Sequence, residues 1–147
     1  MRPLKILHVE DNEDDRILFG RACEAAGLPA IFHSAWDGLD AVAYLKGDGE
    51  FSNRDRHPLP DLIVLDLNLP RMSGFDFLKW LRNGSGFSSL PVLIFTISEK
   101  ADDKARALAH GATGYFVKPK DFETLVRFAE TVRQFRVNGE GPRGWRS

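Results

Sequence analysis

The sequence predicts an α/β domain: a parallel β-sheet with helices on both faces. Three observations carry this. Short apolar runs alternate five times with longer stretches in helical periodicity. The runs Leu62-Ile63-Val64-Leu65 and Val92-Leu93-Ile94-Phe95 are continuously apolar, as strands buried on both faces are. No internal repeat or second unit is visible in the 147 residues, which suit one domain.

The elements follow in order. Leu4 to Val9 reads as the first strand. Asn12 or Asp14 is placed to cap a helix in which Ile17, Leu18, Ala22, Cys23 and Ala26 recur at helical spacing, with Gly27 as its stop. Ala30 to Ala35 is a second short strand. Asp37 caps a helix with Leu39, Val42, Ala43 and Leu45 inward, ended by Gly47. Residues 47 to 60 are a long polar connection rich in Gly, Asp, Arg and Pro. The third strand, 62–65, runs into Asp66; Leu69-Pro70 and Gly74 make a turn, and Phe75, Leu78 and Leu81 stripe the next helix. The fourth strand ends at Thr96. Glu99 to His110 is a polar, Ala-rich helix stopped by Gly111. Tyr115-Phe116-Val117 forms the fifth strand, ending at Lys118-Pro119. The last helix, Asp121 to Phe135, gathers Phe122, Leu125, Val126, Ala129 and Val132 on one face. The domain thus spans 1–135, with 136–147 expected to be a loose Gly- and Arg-rich tail that includes Trp145.

Composition excludes several classes. Net charge is −1, from 20 basic and 21 acidic residues, so no electrostatic argument favours nucleic acid or an anionic membrane. No apolar run approaches the roughly 20 residues that span a bilayer, and the N-terminus lacks the apolar core of a signal peptide. Cys23 is the single cysteine, so no internal disulfide forms, and it is expected in the core. A cytoplasmic location is the expectation. His8, His33, His57 and His110 show no metal-ligand spacing, and Trp36 and Trp80 are expected to pack beside helices.

In such folds ligands bind at the carboxyl ends of the strands, where strand order reverses. Here those ends carry Glu10 and Asp11, Asp66, Thr96 and Lys118. Taken singly, each has an ordinary reading as a cap, a turn former or a solvated charge. Taken together, they suit phosphoryl chemistry. Clustered carboxylates without Cys or His suit Mg²⁺, a hard cation with oxygen ligands. A carboxylate can attack a phosphoryl group to form an acyl phosphate, aided by a fixed ammonium and a hydroxyl donor. On this reading Asp66 is the nucleophile, Glu10 and Asp11 are metal ligands, and Lys118 and Thr96 contact the phosphoryl group.

The segments Ile6-Leu7-His8-Val9-Glu10-Asp11-Asn12, Leu62-Ile63-Val64-Leu65-Asp66-Leu67-Asn68-Leu69-Pro70 with Gly74, Thr96, and Gly114-Tyr115-Phe116-Val117-Lys118-Pro119 resemble the receiver domain of bacterial response regulators over about residues 4 to 135. The resemblance implies a flavodoxin-like five-stranded sheet in the order 2-1-3-4-5 with five helices. It implies that Asp66 accepts a phosphoryl group from a sensor histidine kinase or phosphotransfer protein. It implies that Glu10, Asp11, Asp66 and the backbone carbonyl of Asn68 hold Mg²⁺ or Mn²⁺. Thr96 and Tyr115 would be the switch pair, Tyr115 filling from outside the space that Thr96 vacates. Asn68 and Ser98 would tune dephosphorylation, and the Lys118-Pro119 peptide is usually cis in this family. The fourth-helix, fifth-strand and fifth-helix surface would serve partners or a homodimer, with Phe122 and Phe128 expected to be core. The long 47–60 connection is similar to that of stand-alone receivers associated with phytochrome-type kinases. Glu10 stands where many members carry Asp, and Ser73 replaces a common Asp.

Two rivals remain from the sequence. A haloacid dehalogenase-like phosphohydrolase also uses a strand-end Asp, but normally has a second Asp where this chain has Asn68. A phosphorylation-independent interaction module would not need the acidic pair, Asp66 and Lys118. A nucleotide or flavin site is disfavoured, since no Gly-rich loop follows the first strand.

Overall fold

The computed structural model describes residues 2–138. The chain alternates strand and helix: β1 (Leu4–Val9), α1 (Glu13–Ala25), β2 (Ala30–Ala35), α2 (Gly38–Lys46), a 3-10 turn (Gly49–Phe51), β3 (Leu62–Leu65), α3 (Gly74–Arg82), β4 (Val92–Thr96), α4 (Ala101–Ala109), β5 (Gly114–Val117) and α5 (Phe122–Asn138). All pairings are parallel and the sheet order is β2-β1-β3-β4-β5. Order therefore reverses between β1 and β3, the point at which a crevice opens in doubly wound sheets. α5 runs through residues 136–138, which were expected to begin the tail, and the rest of that tail, 139–147 with Trp145, lies outside the described residues.

Helix ends obey local chemistry. Asn12, Asp37 and Ser73 cap α1, α2 and α3, each side chain accepting the backbone N–H three residues on. Ser73, where many relatives of this kind carry Asp, thus keeps a capping oxygen for α3. Gly47 closes α2 at φ 72°, in the left-handed region where glycine is free of Cβ strain.

The sheet divides the core in two. On one face Leu7, Val9, Ile63, Leu65, Val92 and Ile94 meet Leu45, Phe77, Leu78 and Leu81. On the other Ile6, Leu62, Val64, Leu93 and Phe95 meet Phe19, Ala22, Cys23, Leu125 and Phe128. Phe128 stacks on Phe95 with centroids 4.6 Å apart, while Phe19 packs against both rings. Each such fully buried side chain contributes about 1.5–3 kcal/mol relative to exposure. Cys23 is buried, and desolvation pushes its thiol up to about 12, so it is inert packing.

Some expected core residues are at the surface. Ile17 and Leu18 are exposed and Phe19 takes the inner position of α1. Leu39 is exposed, and Ala41, Tyr44 and Leu45 line α2. Phe122, at the first turn of α5, is 44% exposed. Ile17, Leu18 and Leu39 lie on the outer faces of helices whose neighbouring residues Phe19 and Ala41 are buried, and Phe122 is exposed at the start of an α5 stripe in which Leu125, Ala129 and Val132 are buried. Trp36 is exposed and lies under Arg16, whose guanidinium sits 4.0 Å from the ring centroid.

Arg54 ties the 47–60 connection to α2: it donates to the carbonyls of Tyr44 (2.8 Å) and Leu45 (2.6 Å) in the last turn of α2 and of His57 (3.1 Å), while the Tyr44 hydroxyl donates to the Pro58 carbonyl at 2.8 Å. Phe51 is buried against Tyr44 and His57.

Candidate functional site

The polar residues collect at the carboxyl ends of β1, β3, β4 and β5 because the registers align those ends. Val9 is level with Leu65, and Thr96 with Val117. The Asp66 amide donates to the Val9 carbonyl at 3.1 Å, and the Lys118 amide to the Thr96 carbonyl at 2.7 Å. Glu10, Asp66 and Thr96 are buried, and Asp11 is exposed.

Gly74 sets the clearance behind Asp66. A Cβ there would lie 2.2 Å from the Asp66 carbonyl oxygen and 2.8 Å from the Leu67 Cα. The Gly74 amide donates to the Leu67 carbonyl at 3.0 Å, drawing the start of α3 against the loop that follows Asp66. Only glycine permits that approach.

Lys118 lies at the centre. Its Nζ donates to Glu10 Oε1 (2.5 Å), Asp15 Oδ2 (2.8 Å) and Asp66 Oδ2 (3.0 Å), and the side chain is 11% exposed. Burial alone would lower the ammonium's pKa, but the bonds to Asp15 and Glu10 and the Asp66 charge outweigh it and hold it raised. Burial pushes Glu10 up to about 7, against the pull of the Lys118 hydrogen bond. Glu10 Oε2 accepts from the Asn12 amide at 3.2 Å, which fixes the carboxyl's orientation. His8 is buried edge-on to Phe19; desolvation first, then Lys118 and Arg16, lower it to about 3, so it stays neutral and outside the chemistry.

One oxygen each from Glu10, Asp11 and Asp66 lies within 4.8 Å of the others. Oxygens on opposite sides of an ion with bonds of about 2.1 Å are about 4.2 Å apart, so this all-oxygen set fits Mg²⁺ or Mn²⁺ with slight closure. The Asn68 amide donates to Asp66 Oδ1 at 3.3 Å.

Next to the cluster, the Ser98 amide donates to Thr96 Oγ1 at 3.4 Å and the Ser98 hydroxyl to Asp103 at 2.5 Å. Tyr115 departs from the expected outside position: it is 8% exposed and its hydroxyl donates to the Ser98 carbonyl at 2.9 Å. The inward position satisfies the phenol with a backbone acceptor while its ring stays in the core. The Lys118–Pro119 peptide is trans rather than cis, an alternative only about 0.5–1 kcal/mol away for any bond preceding proline.

The sequence reading missed Asp15. Its signal was the Asn12 cap: once Asn12 is the cap, Asp15 falls in the first turn of α1, directly at the rim.

A family model described as the response regulator receiver domain matches residues 6–130. The chain belongs to the response regulator receiver family. The probable methanogenesis regulatory protein FilR2 of Methanothrix harundinacea is 32% identical over 136 residues, covering 90% of this chain and 83% of that protein. The phosphorylated cyanobacterial phytochrome response regulator RcpA superposes with a TM-score of 0.83 at 29% identity, covering 94% of this chain and 96% of its own. The Mn²⁺-bound form of response regulator Rcp1, a protein of Synechocystis sp., gives 0.79 at 28% identity, covering 92% and 96%. Receiver domains are signalling modules of two-component systems, act with histidine kinases or phosphotransfer proteins, and bind Mg²⁺ or Mn²⁺ at an acidic site. The sheet order and five helices are those of the flavodoxin-like receiver fold. Among the described residues no helix is long and apolar enough to cross a membrane.

Proposed function

We propose that this chain is a phosphoacceptor switch of a two-component phosphorelay. The Asp66 carboxylate attacks the phosphorus of a phosphohistidine on a sensor kinase or phosphotransfer protein. A new P–O bond forms, the P–N bond breaks, and its electron pair leaves with the histidine nitrogen. Glu10, Asp11, Asp66 and the Asn68 carbonyl would hold Mg²⁺ or Mn²⁺. The cation supplies positive charge to the transferring oxygens. Lys118 supplies a second positive charge and Thr96 a hydroxyl donor. The observation that carries this reading is the meeting of Lys118 Nζ with Glu10 and Asp66 beside Asp11, on a rim otherwise built from apolar strands.

Phosphorylation adds about −1.5 to −2 charge. Thr96 turns toward the new oxygens and Tyr115 keeps its inward seat, so the β4–α4 connection that both touch is the element that shifts. The α4, β5 and α5 surface then presents a changed face to a partner or a second copy. Asn68 and Ser98, which line a cavity of about 310 Å³ with Ile97, Glu99, Lys100 and Asp103, tune access of water to the acyl phosphate. The signalling unit is residues 1–135 and works in the cytoplasm, with phytochrome-type kinases as one class of input.

Incubation with acetyl phosphate and Mg²⁺, read by intact mass, tests the proposal. Wild type gains one phosphoryl group, Asp66→Asn gains none, and chelation of the metal abolishes labelling. Sustained release of phosphate from an ester, or labelling of Asp66→Asn, would overturn it.

A further inference from the structure

The ammonium of Lys118 is shared among three carboxylates, and two of them, Glu10 and Asp66, belong to the set assigned above to a divalent cation. A cation and an ammonium cannot both occupy the same carboxylate oxygens at full strength. The third partner, Asp15, stands outside the metal set. It lies on α1 rather than on a strand end, its side chain is 34% exposed, and its contact at 2.8 Å is shorter than the 3.0 Å to Asp66. Room for movement is also present. A cavity of about 50 Å³ bounded by Asp15, Leu18, Phe95, Lys118, Pro119 and Leu125 runs beside the lysine stem. Lysine, a point charge on a flexible stem, is suited to changing partners where an arginine fork is not.

We propose that Asp15 is a positioning residue: it receives the Lys118 ammonium when a divalent cation takes Glu10 and Asp66, and so keeps lysine and metal from competing. This rests on the assignment of the cation to those carboxylates. Without Asp15, the lysine has no other carboxylate within hydrogen-bond reach among the described residues and stays on the metal's ligands.

A charge-field effect would also weaken cation binding when an acidic residue is removed, so the test separates field from position. Mn²⁺ affinity is measured by isothermal titration for wild type, Asp15→Asn, Lys118→Met, the double variant and Asp66→Asn, with Asp14→Asn as control. Asp14 is exposed in the same turn and carries the same charge. Thermal melts and far-ultraviolet spectra confirm that each variant is folded. Asp15→Asn weakens Mn²⁺ binding by about five- to tenfold, a coupling of ordinary size for neighbouring charged groups. In the Lys118→Met background the same change has less than about a twofold effect, as has Asp14→Asn in wild type. An equal loss with and without Lys118, or no loss at all, would overturn the role of Asp15 and leave the metal assignment standing. Failure of wild type to bind Mn²⁺, or unchanged binding by Asp66→Asn, would overturn the metal assignment and this inference together.

Discussion

Two clusters of mixed charge sit on the same rim of the sheet, and they are built differently. In one, Arg71 lays its planar fork on Asp37, with Nε to Oδ2 at 2.5 Å and Nη2 to Oδ1 at 3.1 Å, while Asp40 lies 3.7 Å away. In the other, one ammonium serves Glu10, Asp15 and Asp66, with Asp11 close by. The first is a fixed bidentate pair, and Asp37 also caps α2. The first has two carboxylates to one guanidinium, and the second has four to one ammonium. Where a rigid fork comes close to matching the charge, the cluster joins two loops. Where negative charge is in larger surplus around a single ammonium, the cluster invites a further cation.

Removal of each cluster's centre gives the largest contrast. Lys118→Met should cost about 2–3 kcal/mol in urea unfolding without metal, somewhat less than the roughly 3–5 kcal/mol for a fully buried pair because rim carboxylates rehydrate or protonate. Saturating Mg²⁺ should restore most of that loss. An unchanged midpoint without metal would mean that the carboxylates are not in surplus.

A smaller effect is expected at the matched pair. Asp37→Ala should cost about 1–2 kcal/mol through the lost cap, and Mg²⁺ should not restore it. Burial pushes the Asp37 carboxyl up, but the Arg71 hydrogen bond and the Asp40 amide outweigh it and hold it below the usual carboxylate range. A depressed folded-state pKa means that the ionised form adds stability above the unfolded value of about 3.9. That contribution disappears as pH falls through the lower folded value. The gap between wild type and Asp37→Ala should therefore narrow below about pH 4. A gap constant to pH 2 would show that the carboxylate's charge is not involved.

Arg71→Gly should have the smallest effect. Arg71 is 58% exposed and is the sole non-glycine residue at positive φ, 60°, among those described. Losing the pair and relieving the backbone act in opposite directions. A drop in melting temperature as large as that of Asp37→Ala would show that the guanidinium, rather than the cap, secures α2.

The two central strands were legible because parallel sheets sealed on both faces require uninterrupted apolar runs, and Leu62 to Leu65 and Val92 to Phe95 are such runs; the other three were short, largely apolar stretches between helical periodicities. Glu10, Asp66, Thr96 and Lys118 were legible because each immediately follows or ends one of them. Asp15 was not, because its place depends on which of Asn12 and Asp14 caps α1, and both residue types serve. Arg71 was not, because a positive φ at arginine leaves no mark in composition. The exposure of Ile17, Leu39 and Phe122 was hidden for another reason. Periodicity allows more than one apolar stripe, and packing against the sheet decides which is buried: Phe19 rather than Ile17, Ala41 rather than Leu39. The inward seat of Tyr115 depends on a backbone acceptor, the Ser98 carbonyl, to which every residue type contributes alike.

Arg54 has a consequence for how this chain could be lengthened. With its guanidinium seated on three carbonyls, the return path from the second helix to the third strand is anchored near its middle. Residues inserted at the exposed Asp55 and Arg56 would bulge into solvent, because the Pro58 carbonyl, held by Tyr44, and Asp61, held by Lys5, fix the chain again before Leu62. The excursion is a stapled handle, and Asp66 is shielded from its size.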